Sequence, residues 1–180
     1  MLKLRAHLPQ TIKWQNLVGG LAADTDRPMP HSLQTTIQGH WHKIQTLLDT
    51  PFNFDFWSRC YPRRDTYKAC RAVIAAADQG FEDAMIEGIQ RAYYLDARNP
   101  SEPDVLIEIA AELGMGKVAF ADALASVEVN QELNRQLATR DALAVTSFPS
   151  LVLTQGRRIT RIRHDYNDFR VTLKALESNA

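Results

Sequence analysis

The stretch 146-TSFPSLVL-153 decides how the rest of the chain is read. Leu151 to Leu153 form a short apolar run of the kind a buried strand shows. Pro149 stands two residues before that run, and a proline has no N–H to give to a ladder. Such a residue fits the first position of a strand, with an ordinary trans bond as the default. Beyond the run, 154-TQGR-157 carries Gly156, a hairpin-turn signal, and 157-RRITRIR-163 places Ile159 and Ile162 in an imperfect alternation. Phe169, Leu173 and Leu176 then recur at helical spacing. The C-terminal part thus predicts a hairpin over 149–163 and a terminal helix over 166–178.

Working backward, the period is different. From Ser32 to about Leu143 the apolar residues recur every three to four positions. Leu33, Ile37, Trp41, Ile44 and Leu48 make one stripe, with Ser32 as the expected N-cap. Asp65 and Gly80 bracket a helix whose buried stripe should hold Ala69, Cys70, Val73, Ile74 and Ala77. Met85, Ile89 and Ala92 mark the next helix. Ser101, Pro103 and Gly114 punctuate another, Ser101 as its N-cap. The aromatic stretch 51-PFNFDFWSRCYPRR-64 is broken by Pro51 and Pro62 and reads as irregular. Ahead of the helices, 11-TIKWQNLV-18, between Pro9 and Gly19-Gly20, reads as a strand. The first eight residues, MLKLRAHL, fit a strand and a helix equally by periodicity. The order strand, helices, hairpin, helix predicts an α/β fold: sheet parts at about 11–18 and 149–163, and a helical insertion over 32–143, within one domain of 180 residues.

Composition narrows the function classes. Formal net charge is zero, with 21 Lys+Arg against 21 Asp+Glu, which argues against a binder of nucleic-acid backbone. No apolar run of about 18 residues is present to span a membrane. The N-terminus has no apolar core or small-residue cleavage site of a secretory signal, so a reducing cytoplasm is the expected setting. No paired Cys or His stands at metal-ligand spacing, and no metal is expected. His40 and His42 are two apart on a helix and point to different faces. His164-Asp165 lacks a nearby nucleophile, and 112-ELGMGK-117 lacks the strand a phosphate loop follows. The basic 156-GRRITRIR-163 reads as a solvated hairpin or as a dock for an anionic ligand.

Several short motifs occur in a shared order: LVGGLA (17–22), PMP (28–30), TPFNFDFW (50–57), YKACRAVIAA (67–76), IQRAYYLDARNPSEPDVLIEIAAELG (89–114) and VTSFPSLVL (145–153). On these the chain resembles DsbA-like thioredoxin-fold proteins, in particular the FrnE-like branch. That branch is also similar to 2-hydroxychromene-2-carboxylate isomerases and kappa-class glutathione transferases. The resemblance implies a thioredoxin-like sheet with a large helical insertion and a cis bond before Pro149. It also implies that Ser147, Phe148 and Pro149 hold an extended peptide or glutathione through main-chain N–H and C=O groups. Arg63 and Arg64 are the implied basic pair bordering the same groove. It tips the first eight residues to helix.

The family's chemistry sits on a Cys-x-x-Cys motif at a helix N-terminus. This sequence contains none, so no catalytic residue is assigned. On the resemblance, the first strand, both catalytic cysteines and the start of their helix are missing, and the fold is expected to be incomplete at the N-terminus. The strand at 11–18 would then leave an apolar edge open, a place for a homodimer to form. Of the two cysteines, Cys70 reads as a buried, inert thiol. Cys60, beside Arg59, Arg63 and Arg64, is the candidate reactive one, because nearby cations favour a thiolate.

Three functions follow as expectations. The first is a disulfide-exchange scaffold for a disulfide-containing protein, without dithiol turnover in this chain. The second is a relative of the isomerases or transferases that binds glutathione, with no other cofactor. The third is a noncatalytic dimerising module.

Overall fold

A computed structural model describes residues 2–180, without the side chain of Leu2; Met1, the first residue of the MLKLRAHL reading, lies outside it. The chain forms two compact units. One comprises the segment up to Gly19 together with Gln136 onward; the other is Gly20–Arg135.

The first unit is built on the hairpin. β1 (Leu151–Gln155) pairs antiparallel with β2 (Arg158–Ile162), in the register Leu151 opposite Ile162 and Gln155 opposite Arg158. That leaves a two-residue turn, Gly156-Arg157, and Gly156 has φ of 59°. Two-residue hairpin turns need such positive φ, which glycine adopts without a Cβ clash. Leu151, Leu153 and Ile162 lie against α1 (Leu2–Ala6) and α9 (Phe169–Glu177), where Leu4 and Leu176 are buried. Fully burying a leucine contributes roughly 1.5–3 kcal/mol, so these three short elements depend on one another. Asp168 caps α9 by accepting the Arg170 N–H.

The segment 11–18 is not a strand, against expectation. Ile12 and Trp14 do pack on the hairpin core, which explains the strand-like alternation. Their backbone follows another course. The Ile12 N–H closes a turn on the Pro9 carbonyl, and the Trp14 indole donates to Asn16. The Val18 N–H donates to the Gln136 side chain rather than to a neighbouring strand. Among the described residues the only sheet is the hairpin. The open edge expected on a strand at 11–18 therefore has no strand to carry it.

The second unit is helical: α2 (His31–Leu48), α3 (Phe56–Arg59), α4 (Tyr67–Ala77), α5 (Glu82–Tyr94), α6 (Pro103–Glu112), α7 (Lys117–Leu124) and the first part of α8 (Val127–Ala142). The later turns of α8 belong with the hairpin unit. α4 is the hub: Ala72 through Ala76 are all buried, not a stripe, while Ala77 is exposed. Alanines let α5, α6 and α7 approach it closely. The irregular aromatic stretch contains one short helix, α3. Its rings gather around Trp41, which contacts Phe52, Phe54, Phe56, Trp57, Tyr93 and Tyr94 at centroid distances of 5.1–6.1 Å.

The expected caps are placed differently. Pro30, Thr66 and Glu102 hold the N-cap positions of α2, α4 and α6, where Ser32, Asp65 and Ser101 were expected. Asp65 and Ser101 are buried and used at long range. Ser101 donates to the Asp65 carbonyl, and the Asp65 carboxylate accepts from Lys68 and from the Thr25 N–H.

Candidate functional site

The loop from Leu143 to Ser150 is shaped from both ends. α8 stops in a paired motif: the Val145 N–H returns to the Arg140 carbonyl and the Ala144 N–H to the Asp141 carbonyl. This closure requires a left-handed residue, and Ala144 supplies it with φ of 52°. The Ala144 carbonyl is in turn taken by the Arg161 guanidinium. At the other end, the Ser150 hydroxyl donates to the Ser147 carbonyl at 2.6 Å. Between them the Phe148–Pro149 bond is cis.

Phe148 is the centre of this loop. Its side chain lies on Gly19: a Cβ added there would sit 2.8 Å from the ring. Gly19 is held by its own carbonyl, which accepts from Arg140 at 2.7 Å, and its neighbour Val18 by Gln136. The ring is thus seated while the residue as a whole stays 43% exposed. Among the described residues, neither the N–H nor the C=O of Phe148 has an intramolecular partner. One donor and one acceptor on a single exposed residue are the pair that an extended peptide offers in complement.

Cys60, Arg63 and Arg64 belong to the helical unit, and Ser147, Phe148 and Pro149 to the hairpin unit. Arg63 is engaged: it pairs with Glu102 and lies over the Tyr61 ring, 5.7 Å from its centroid. Arg64 is exposed, with no ion pair among the described residues. Cys60 is not the activated thiol its neighbours suggested. Burial pushes its pKa up, and the opposing effect of the Arg59 charge is smaller. Its Sγ also donates to the Ala97 carbonyl at 3.0 Å, a bond only the protonated thiol makes. Cys70 is half-buried, and both cysteines are free thiols.

The remaining candidates are occupied otherwise. His42 stacks on Phe54 with centroids 4.2 Å apart, and His40 is exposed. The His164 ring meets Tyr166 edge-on, while the Asp165 carboxylate accepts the N–H groups of Asn167 and Asp168. No group of metal-binding side chains forms among the described residues. Sequence reading missed Gly19, Gln136 and Arg140. The glycine pair was legible only as the end of a strand, and nothing local marks a glutamine or arginine in the later turns of a helix as reaching more than a hundred residues back.

Comparison with known proteins identifies the family and the fold. A family described as a DSBA-like thioredoxin domain matches residues 23–177. The chain belongs to this family. Its fold is accordingly the DsbA-like thioredoxin fold, mostly helical with a small two-stranded sheet. The cytosolic disulfide reductase DsbM from Pseudomonas aeruginosa is similar at 24% identity, with a TM-score of 0.77, over 99% of this chain and 90% of that one. A structure of DsbM with GSH gives 25% identity and a TM-score of 0.75, over 99% and 89%. No curated protein matches.

Proposed function

We propose that this chain is a thiol–disulfide oxidoreductase scaffold whose working part is a peptide-holding loop at Ser147, Phe148 and Pro149. The observation that carries the reading is the free N–H and C=O of the exposed Phe148, on a side chain seated against Gly19. An extended guest would pair with both groups, as a strand pairs with a sheet edge. The Ser147 carbonyl is already satisfied by Ser150, so recognition centres on one residue.

The two thiols of these 180 residues, Cys60 and Cys70, are ten positions apart and form no Cys-x-x-Cys. Cys60, its pKa raised by burial, would not serve as the low-pKa nucleophile that disulfide exchange needs, since rates follow the thiolate fraction. This chain is therefore expected to reduce insulin disulfides no faster than its Cys60→Ser/Cys70→Ser variant. Turnover that depends on these cysteines would refute the reading. Free thiols and a relative described as cytosolic favour a cytoplasmic setting. The FrnE-like assignment within the family rests on the order of the short motifs.

A second reading, glutathione binding, is favoured by the DsbM structure with GSH. Glutathione is itself a short peptide and would use the same main-chain pair. Calorimetry separates the cases: no heat at millimolar glutathione, with a longer peptide still binding, leaves the first reading alone.

A further inference from the structure

The zero net charge of the chain conceals a division. The hairpin unit carries ten Lys/Arg against four Asp/Glu, a formal +6; the helical unit carries eleven against seventeen, a formal −6. The pairing differs as well. In the helical unit Arg63, Lys68, Arg71, Arg91 and Arg98 all have carboxylate partners. On the hairpin, Arg157, Arg158, Arg161 and Arg163 are exposed, and none has a carboxylate partner among the described residues. The nearby acids are otherwise engaged. Asp165 is bonded to two backbone N–H groups and Asp168 to Arg170.

Two of these charges, Arg161 and Arg163, lie at the guest-holding end of the hairpin, while Arg157 and Arg158 stand at its turn. Arg161 stands opposite Val152, at the end of the hairpin that starts beside Pro149. Its guanidinium bonds the Ala144 carbonyl, so a positive charge is fixed against the loop itself, and a carbonyl leaves that charge uncancelled. Arg163 follows one residue beyond β2.

We propose that the guest held at Phe148 is an extended peptide rich in Asp and Glu. The proposal rests on the peptide-holding reading above and deepens it. Main-chain pairing would set the backbone in place, and the hairpin arginines would select acidic side chains. Clustered like charges in partial water act by complementarity, which suppresses neutral and basic partners. A peptide fits better than a nucleic acid, because the Phe148 pair needs an N–H and a C=O in register.

The test uses the whole chain and three fluorescein-labelled, cysteine-free octapeptides carrying four Glu, four Gln or four Lys on a Thr/Val background. Anisotropy should show the Glu peptide binding about tenfold more tightly than the Gln peptide at low salt, and the Lys peptide weakest. The gap should close toward 0.5 M salt, where screening shortens to several ångströms. Arg163→Gln, at a side chain with no hydrogen bond or ion pair among the described residues, should lower the Glu/Gln ratio, and Arg157→Gln, at the far turn, should change it less. Equal affinities for all three peptides overturn the acidic preference and leave the peptide-holding reading standing. Absence of any binding overturns both. A single-stranded oligonucleotide that displaces the Glu peptide at equal concentration overturns the proposal in favour of a general polyanion site. Salt-sensitive self-association in sedimentation, blocking the peptide, overturns it in favour of the acidic unit of a second copy.

Discussion

Ala144 adopts a left-handed conformation that costs an L-residue with a Cβ roughly 1–2 kcal/mol. The helix ending around it needs that conformation, and the loop needs the helix ending. Ala144→Gly should therefore stabilise the chain, by about 1 kcal/mol in denaturant unfolding; a loss of stability would mean that the methyl group is packed rather than strained. Cys60 lies at the same scale. In a Cys70→Ser background, its alkylation by iodoacetamide should rise with pH along a curve displaced above that of a free cysteine peptide, because burial and the bond to Ala97 hold the proton. Fast alkylation at neutral pH would contradict this. Such details were only partly legible in the sequence. Pro149 and the following apolar run announced the hairpin, since local chemistry alone dictates both. The arginines around Cys60 pointed the wrong way, because sequence shows neighbouring charges but not the burial that outweighs them.

At the scale of elements, the segment 17–19 and the 143–150 loop are fitted to each other. Gly19→Ala would drive a Cβ into the Phe148 ring, and overpacking of this kind costs about 1–3 kcal/mol. Removing the ring with Phe148→Ala should rescue most of that loss, and a double-mutant cycle by urea unfolding measures the coupling. Additive losses would show that the two do not meet. In the helical unit, loop 20–30 is tied to α4. Thr66 bonds both main-chain groups of Ala22, and Arg71 grips Asp24 through two bonds. Hydrogen bonding from Arg71 holds the Asp24 carboxyl below its ordinary pKa. A depressed carboxylate stabilises the fold above its unfolded pKa, and that stability is lost as pH falls through the lower, folded value. Asp24→Asn should thus flatten the acid limb of a stability–pH curve below about pH 4; an unchanged limb would remove the pair from the account. Helices were legible here because the 3.6 period survives burial. Their caps were not: Asp65 and Ser101 look like caps locally, and their long-range partners lie some 36 residues apart in sequence. The strand expected at 11–18 failed for a related reason. Alternating Ile12 and Trp14 reports which side chains are buried, and says nothing about where backbone N–H groups go.

At the scale of the whole molecule, the family and its thioredoxin-like fold were legible from the order of several short motifs, each weak alone. The division of charge between the two units was not, since it appears only once the compact units are known. What unites the levels is a hairpin, a helix ending and a glycine that together leave one residue with an unspent donor and acceptor. The direct measurement is a 15N-phenylalanine spectrum of this chain, whose seven phenylalanines give few signals, titrated with the Glu-rich octapeptide. The Phe148 amide, assigned by its loss in Phe148→Leu, should shift most and move downfield as its N–H gains an acceptor. If a peptide binds and the Phe148 amide stays where it was, the guest is held elsewhere and the account is wrong.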